Sequence, residues 1–135
     1  MAVDELMADP VHHDRGTKKG EGTTALRKYL EAAIRYGASD IFIKSEHIPR
    51  VRLRNELKAL QTGETSLDLM FQIAKDTLDE KQYAHFHRHG SIDLAYEFDD
   101  DHRFRVNLFM ARGKPSIAAR LITSNIKKFS ELHVP

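Results

Sequence analysis

The clearest alternation of hydrophobic and polar residues lies between Arg103 and Ile122. In its first half every second residue is apolar, namely Phe104, Val106, Leu108 and Met110. A period of two is typical of a strand with one buried face. Gly113 and Pro115 predict a turn, and a second alternating segment follows, whose apolar face carries Ile117, Ala119 and Leu121. The pattern therefore predicts a β-hairpin.

The register of this hairpin decides which polar side chains share a face. A turn centred on residues 113–114 would place Arg120 opposite Asn107. Arg105, Asn107 and Arg120 would then lie on one face, with Arg112 at the tip of the hairpin. A slip of one residue would send Arg120 to the other face, because strand side chains alternate.

Two interpretations of these arginines remain open on the pattern alone. Exposed sheet faces are often charged simply because they contact water. Alternatively, the hairpin recognises an anion, because a guanidinium stays charged and offers two parallel donors to carboxylate or phosphate oxygens.

Helical spacing of apolar residues predicts three helices. The first is expected from about Thr24 to Tyr36, with Thr23 or Thr24 as its cap and Gly37 in the left-handed position after its end. Two further helices are expected over residues 66–77 and 79–88. Their predicted caps are Ser66 and Asp79, and Gly90 is expected just past the end of the second of them.

Short alternating segments predict the remaining strands over residues 40–44, 50–54, 56–60 and 91–98. Asn55 tolerates the positive φ of a tight turn between two of them. The element order is helix, three strands, two helices and three strands. Helices segregated from antiparallel strands predict an α+β fold, with an antiparallel sheet of about six strands and helices packed on it.

Both ends of the sequence differ from this regular middle part. Residues 1–23 are polar and interrupted by glycine and proline, which is typical of a flexible tail. Phe129–Leu132 can form one last turn, and residues 129–135 resemble the start of a linker. The sequence therefore predicts one domain over residues 24–128.

Composition narrows the possible functions. The chain has 135 residues, 21 basic and 20 acidic side chains, and a net charge of +1. This balance argues against nucleic-acid binding. The chain contains no cysteine, which excludes disulfides and thiolate chemistry. No apolar stretch reaches the roughly 20 residues that cross a bilayer, and no secretion signal is present, so a cytoplasmic location is expected.

The sequence does not predict a metal site or catalysis by this chain. His85, His87 and His89 are spaced by two residues, which is expected to place them on different sides of a helix, whereas a helical metal pair is spaced by three or four. The three aspartates at 99–101 do not match a calcium loop. Neither a phosphate-binding loop nor a dinucleotide fingerprint is present.

Several segments resemble one protein family. Gly37-Ala38-Ser39-Asp40 followed by Ile41-Phe42-Ile43 resembles the G-A-S-D signature near the start of PilT-type pilus-retraction and secretion ATPases. Arg103-Phe104-Arg105-Val106-Asn107 resembles their R-[FY]-R-V-N block. Further matches in the right order are residues 49–57, 91–98, 117–122 and 129–132. Phe42 stands where the family often has histidine, and Asn55 where it often has glycine.

The resemblance implies the PAS-like N-terminal domain of a homohexameric secretion ATPase, for pilus retraction in twitching motility or for protein secretion. In this family a RecA-like motor domain follows, and its Walker motifs are absent from this sequence. The chain alone is therefore not expected to be an enzyme. Its expected partners are the motor domains of its own and neighbouring subunits and an inner-membrane platform protein, at the inner face of the bacterial cell membrane.

The resemblance also implies a role for the arginines. In the family this domain contributes arginines to ATP, which is bound with Mg²⁺ by the full-length protein. Carried over to this sequence, the candidates are Arg105 and Arg120, then Arg112, then Arg103. Without the motor domain, no cofactor is expected to bind tightly.

Two other functions remain as alternatives. One is a stand-alone PAS-like domain that senses a ligand or binds another protein. The other is nucleic-acid binding through Arg50, Arg52 and Arg54, although the near-neutral charge argues against it.

Overall fold

The structure, a computed structural model, describes residues 20–124. Its elements are, in order, α1 (Glu21–Tyr36), β1 (Asp40–Lys44), β2 (Arg50–Leu53), β3 (Glu56–Ala59), α2 (Leu67–Thr77), α3 (Glu80–His89), β4 (Ser91–Asp99), β5 (His102–Ala111) and β6 (Lys114–Ser124). This order agrees with the predicted one. The predicted final turn at Phe129–Leu132 and most of the predicted tail lie outside the described residues.

The six strands form one antiparallel sheet in the order β3-β2-β1-β6-β5-β4. Three helices pack on one of its faces, so the predicted α+β class is confirmed. The other face carries no helix among the described residues and is called the open face below. In consequence, every strand divides its residues between a packed side and an open side.

The core lies between the helices and the covered face of the sheet. Side chains of α1, α2 and α3 in it include Tyr29, Leu30, Ile73 and Phe86. The sheet contributes alternate residues of its central strands, namely Ile41, Ile43, Phe104, Val106, Leu108, Ile117 and Ala119. All of these are almost completely buried. The alternation read from the hairpin therefore identified the buried face correctly.

The start of α1 differs from the prediction. The helix begins at Glu21, three residues before the expected start at Thr24, and Gly20 occupies the N-cap position without a side-chain cap. The cap comes instead from α2: Asp76 Oδ2 accepts hydrogen bonds from the amides of Gly20 at 3.1 Å, Gly22 at 2.9 Å and Thr23 at 3.3 Å. A local pattern could not show this, because the capping carboxylate lies more than fifty positions away in the sequence.

The two helices approach most closely at Gly22. A β-carbon placed there would lie 2.4 Å from the carbonyl oxygen of Gln72 in α2. Only a residue without a side chain fits this contact, and the missing side chain lets Asp76 reach the amides at the start of α1. The close approach and the cap therefore depend on each other.

The other helix ends agree with the prediction. Ser66 caps α2 by accepting a hydrogen bond from the amide of Leu69. Asp79 begins α3 with a complete capping box, in which its carboxylate and the side chain of Gln82 bond each other's backbone amides. Gly90 follows α3 in the left-handed conformation.

The hairpin turn lies one residue earlier than predicted. Arg112 and Gly113 both have positive φ, at 56° and 78°, and form a two-residue turn between Ala111 and Lys114. Arg120 therefore pairs with Arg105 and not with Asn107. The pairing moves by two residues, so the predicted shared face is preserved. Turns with positive φ at both positions match the right-handed twist of the strands they join.

Replacing Gly22 with alanine should destabilise the chain. Alanine alone would favour an exposed helix by up to about 1 kcal/mol, but here its methyl group would overlap a backbone carbonyl, and overpacking costs typically about 1–3 kcal/mol. Urea unfolding of Gly22→Ala measures the net effect. Gly63→Ala is the matched control, because nothing lies within 4 Å of its added β-carbon. An unchanged or raised midpoint for Gly22→Ala would contradict the close approach.

Replacing Asp76 with alanine should lower the free energy of unfolding by about 1–2 kcal/mol, as for other lost helix caps. The same unfolding assay measures this. Asp100→Ala removes an exposed turn carboxylate and should change stability by less than about 0.5 kcal/mol. Equal effects of the two substitutions would mean that Asp76 does not cap α1.

Candidate functional site

A row of charged side chains crosses the middle of the open face. Cross-strand pairing brings Arg52 of β2, Asp40 of β1, Arg120 of β6 and Arg105 of β5 side by side, and Ala95 of β4 ends the row. We call these five residues the arginine row. Each member lies directly opposite the next on a neighbouring strand, so the sheet backbone sets their spacing at about 5 Å.

Asp40 is the anchor of the arginine row. It is only 5% exposed, and its Oδ2 accepts a hydrogen bond from Arg120 Nε at 2.9 Å. Its Oδ1 lies 3.6 Å from Arg52 Nε and accepts a hydrogen bond of 2.6 Å from the hydroxyl group of Ser39. The carboxylate is thus held from three sides. Because Asp40 engages Arg120 through Nε, the two terminal nitrogens of that guanidinium remain free of Asp40.

Arg105 completes the row without a partner of its own. Its side chain is exposed and forms no ion pair or hydrogen bond with another residue between 20 and 124. Its cross-strand neighbours are Arg120 on one side and the small Ala95 on the other. A cation beside a second cation, with no carboxylate opposite it, creates a local excess of positive charge.

The carboxylates that flank Arg105 already have partners. On β4, Asp93 accepts a hydrogen bond from Asn107 Nδ2 at 2.7 Å. Glu97 accepts one from Arg103 Nε at 2.8 Å. Arg103, the fourth predicted site residue, therefore lies on the open face near Arg105 but is engaged by Glu97. Of these two neighbouring arginines, Arg105 is therefore the one whose side chain is available to an external anion.

Arg112, the third predicted residue, is separated from the others. It occupies the hairpin turn, seven residues beyond Arg105 and just after the end of β5, which is roughly 23 Å at about 3.3 Å per residue. Its neighbour Lys114 forms an ion pair with Glu46. The structure therefore brings Arg105 and Arg120 together and leaves Arg112 at the far end of the hairpin.

One titratable pair lies at the other end of this hairpin. His102 Nδ1 and Asp99 Oδ1 are 2.8 Å apart, and this hydrogen bond lowers the pKa of Asp99 below its usual range. A lowered carboxyl pKa stabilises the fold above the unfolded-state pKa, and that contribution is lost as pH falls. The pair lies at the turn into β5 and does not touch the arginine row.

The placement of the histidines around α3 differs in part from the prediction. His85 and His89 are four residues apart and do share a side of the helix, with ring centroids separated by 4.3 Å. His87 lies elsewhere and contacts Tyr83 edge-on. Among residues 20–124, no three histidine or carboxylate side chains gather into a group able to hold a metal ion.

Sequence reasoning missed the structural role of two residues in the row. Asp40 belongs to the recognised G-A-S-D segment, but the sequence assigns it no role, and Arg52 enters only the alternative of nucleic-acid binding. Their importance follows from the pairing of β1 with β6, which joins residues eighty positions apart. The alternation within β1 places Asp40, Phe42 and Lys44 on one face, and that was the only signal available in the sequence.

Replacing Asp40 with asparagine should destabilise the chain by about 1–2 kcal/mol. A charge-assisted hydrogen bond contributes about 1.5–3 kcal/mol, and we discount this because the Arg120 side chain is 67% exposed and screened by water. Added salt should reduce the loss, since it screens the repulsion among the remaining arginines.

Asp93→Asn is the matched control for this experiment. It makes the same substitution on the same face, but its partner Asn107 is neutral, so the expected loss is smaller and nearly independent of salt. Thermal unfolding at low and high ionic strength compares the two variants. An equal, salt-independent effect of both would show that Asp40 does not balance the arginines.

No protein-family model matches the chain, but several solved structures do. The crystal structure of the pilus retraction motor PilT with bound ADP is 28% identical, with a TM-score of 0.67, over 82% of this chain and 32% of PilT. The ATPase DotB of Legionella pneumophila shares the fold, with 22% identity and a TM-score of 0.64, over 91% of this chain and 34% of DotB.

A comparison of sequences also finds a relative that is linked to pilus function by its name, as PilT is. A twitching motility protein of Neisseria gonorrhoeae is 23% identical over 87 residues, which is 64% of this chain and 23% of that protein. This chain thus spans about a third or less of the length of these relatives. Within residues 20–124, no helix has the length and apolar character needed to span a lipid bilayer. This chain is thus similar in fold to PilT and DotB over about a third of their length, and similar in sequence to a twitching motility protein, which agrees with the resemblance to the N-terminal domain of PilT-type ATPases.

Proposed function

We propose that this domain serves a pilus or secretion motor by contributing Arg105 and Arg120 to the phosphates of ATP. The observation that carries the proposal is the arginine row, in which Arg120 is held by Asp40 while Arg105 beside it has no partner among the described residues. The bound ADP in PilT supports it, since that nucleotide belongs to a protein of the same fold.

The chemistry of the row suits a terminal phosphate. Two adjacent guanidinium groups can each donate to separate oxygens of a β- or γ-phosphate. Asp40 occupies Arg120 Nε, so the terminal nitrogens of Arg120 can donate elsewhere. Fixed cations stabilise the charge that develops on the transferring phosphoryl group, and they need no rearrangement when the reaction occurs.

The other candidate arginines should contribute less. Arg103 would have to leave Glu97 before it could contact a phosphate. Arg112 lies at the far end of the hairpin, so a nucleotide held by Arg105 and Arg120 would be out of its reach. We therefore place these two residues below the central pair.

The proposed assembly follows from the same relationship. The motor domains of the same and neighbouring subunits would supply the phosphate-binding loop and Mg²⁺, in a homohexamer at the inner face of the cell membrane with a platform protein. The described domain would pack on those motor domains. The work of the whole assembly would be pilus retraction or protein secretion, and this chain alone would not hydrolyse ATP.

The test uses a full-length motor protein that carries this domain. Arg105→Ala and Arg120→Ala should each lower ATP turnover by about 10²-fold or more, because arginines that contact the phosphates strongly stabilise the charge of the transition state. Steady-state ATPase rates measure this, with gel filtration to confirm the oligomer. Arg105→Lys should restore only part of the rate, because lysine keeps the positive charge but cannot donate two parallel hydrogen bonds to a phosphate.

Arg112→Ala is the matched control on the same hairpin. It removes an exposed arginine without affecting the row, so the turnover should change by less than about threefold, or under 1 kcal/mol. Normal turnover in both Arg105→Ala and Arg120→Ala, with an intact oligomer, would refute the proposal. The row would then be a charged surface only.

A further inference from the structure

A groove lies on the open face beside the arginine row, toward the β3 edge of the sheet. Its volume is about 390 Å³, and its walls come from β1, β2, β3 and the loop that joins β1 to β2. The lining residues are Phe42, Lys44, His47, Ile48, Arg50, Arg52 and Leu57. We call this the β1–β3 groove. It shares only Arg52 with the arginine row.

The floor of the groove is apolar and unusually exposed. Ile48 is 42% exposed and Leu57 is 48% exposed. Among residues 20–124 they are two of the three large hydrophobic side chains with such exposure, the third being Ile122. Leu57 lies directly opposite Arg52 of the arginine row, and the Arg52 guanidinium lies 5.5 Å from the ring centre of Phe42. Clustered exposed apolar side chains mark interaction sites.

The charged side chains around this floor are positive, and two of them lack ion-pair partners. Lys44 and Arg50 are exposed and form no ion pair within residues 20–124. The nearby carboxylates are engaged elsewhere: Glu46 pairs with Lys114, and Glu56 lies 3.6 Å from Lys58. An apolar centre with a charged rim is the usual anatomy of a protein interface.

We propose that the β1–β3 groove binds an acidic protein segment that inserts apolar side chains between Ile48 and Leu57. Carboxylates of this segment would meet Arg50 and Lys44. The open shape favours a protein over a small molecule, because small-molecule sites bury most of their ligand, whereas the floor of this groove is nearly half exposed. The proposal uses neither Arg105 nor Arg120, so it is independent of the proposed phosphate contacts.

The direct test is a titration of the ¹⁵N-labelled 135-residue chain, followed by amide chemical shifts. The probe is a blocked peptide with two leucines and one phenylalanine spaced among glutamates. Saturable shifts are expected at Phe42, Ile48 and Leu57. Two control peptides replace every glutamate with glutamine, or every apolar residue with serine. Each should bind at least about tenfold more weakly, since each loses one of the two contributions.

Matched variants locate the binding site on the chain. Leu57→Ser and Arg50→Gln should each weaken peptide binding by about tenfold or more. Ile122→Ser and Arg35→Gln are the controls, because they alter an equally exposed isoleucine and an exposed arginine outside the groove. Both controls should leave the affinity unchanged.

Three results would overturn the proposal. The first is the absence of saturable shifts. The second is equal binding of the glutamate and glutamine peptides, which would remove the role of charge. The third is a set of shifts confined to Arg105 and Arg120 and reproduced by inorganic tripolyphosphate. In that case only the arginine row would bind anions.

Discussion

The two-residue turn between β5 and β6 is the constraint on which the rest of the structure depends. Arg112 and Gly113 both adopt positive φ, which sets the pairing of β6 with β5 from Lys114 to Leu121, where the register then shifts by one residue. This pairing sends Val106 and Ala119 into the core together and places Arg105 opposite Arg120. Packing energy and surface chemistry thus follow from the same register, because a shift of one residue would exchange the two faces of β6.

Charge on the open face is distributed unevenly, and this makes the arginine row chemically useful. Asp40, Asp93 and Glu97 each have a specific partner, while Arg105 faces the methyl group of Ala95. A carboxylate at position 95 would neutralise Arg105 and remove the local excess of positive charge. The availability of one arginine therefore depends on a small neutral residue on the next strand.

The sequence predicted the elements well because their signals are local. Alternation identified the strands, and Ser66, Asp79 and Gly90 marked helix ends through contacts within a few residues. Two of the errors involve residues distant in sequence. The cap of α1 comes from Asp76, and the carboxylate that binds Arg120 comes from Asp40 in β1, so neither contact could be predicted from a short stretch of sequence.

The shared face of Arg105 and Arg120 was predicted correctly although the turn was misplaced, because a shift of two residues preserves side-chain alternation. Pro115 contributed to that error: it was expected in the turn but lies in β6, one residue before the first position that pairs with β1.

The contact between Asp76 and the start of α1 also bears on how the domain folds. Three amides at the start of α1, that of the N-cap Gly20 and two in the first turn, depend on a carboxylate that is in place only when α2 has formed and docked. Gly22, in the same turn, adds little helix propensity of its own. The first turn of α1 should therefore form late in folding and open early in unfolding, together with the α1–α2 contact. Amide hydrogen exchange at Thr23 would then report on the docking of two helices and not on the local fraying of one.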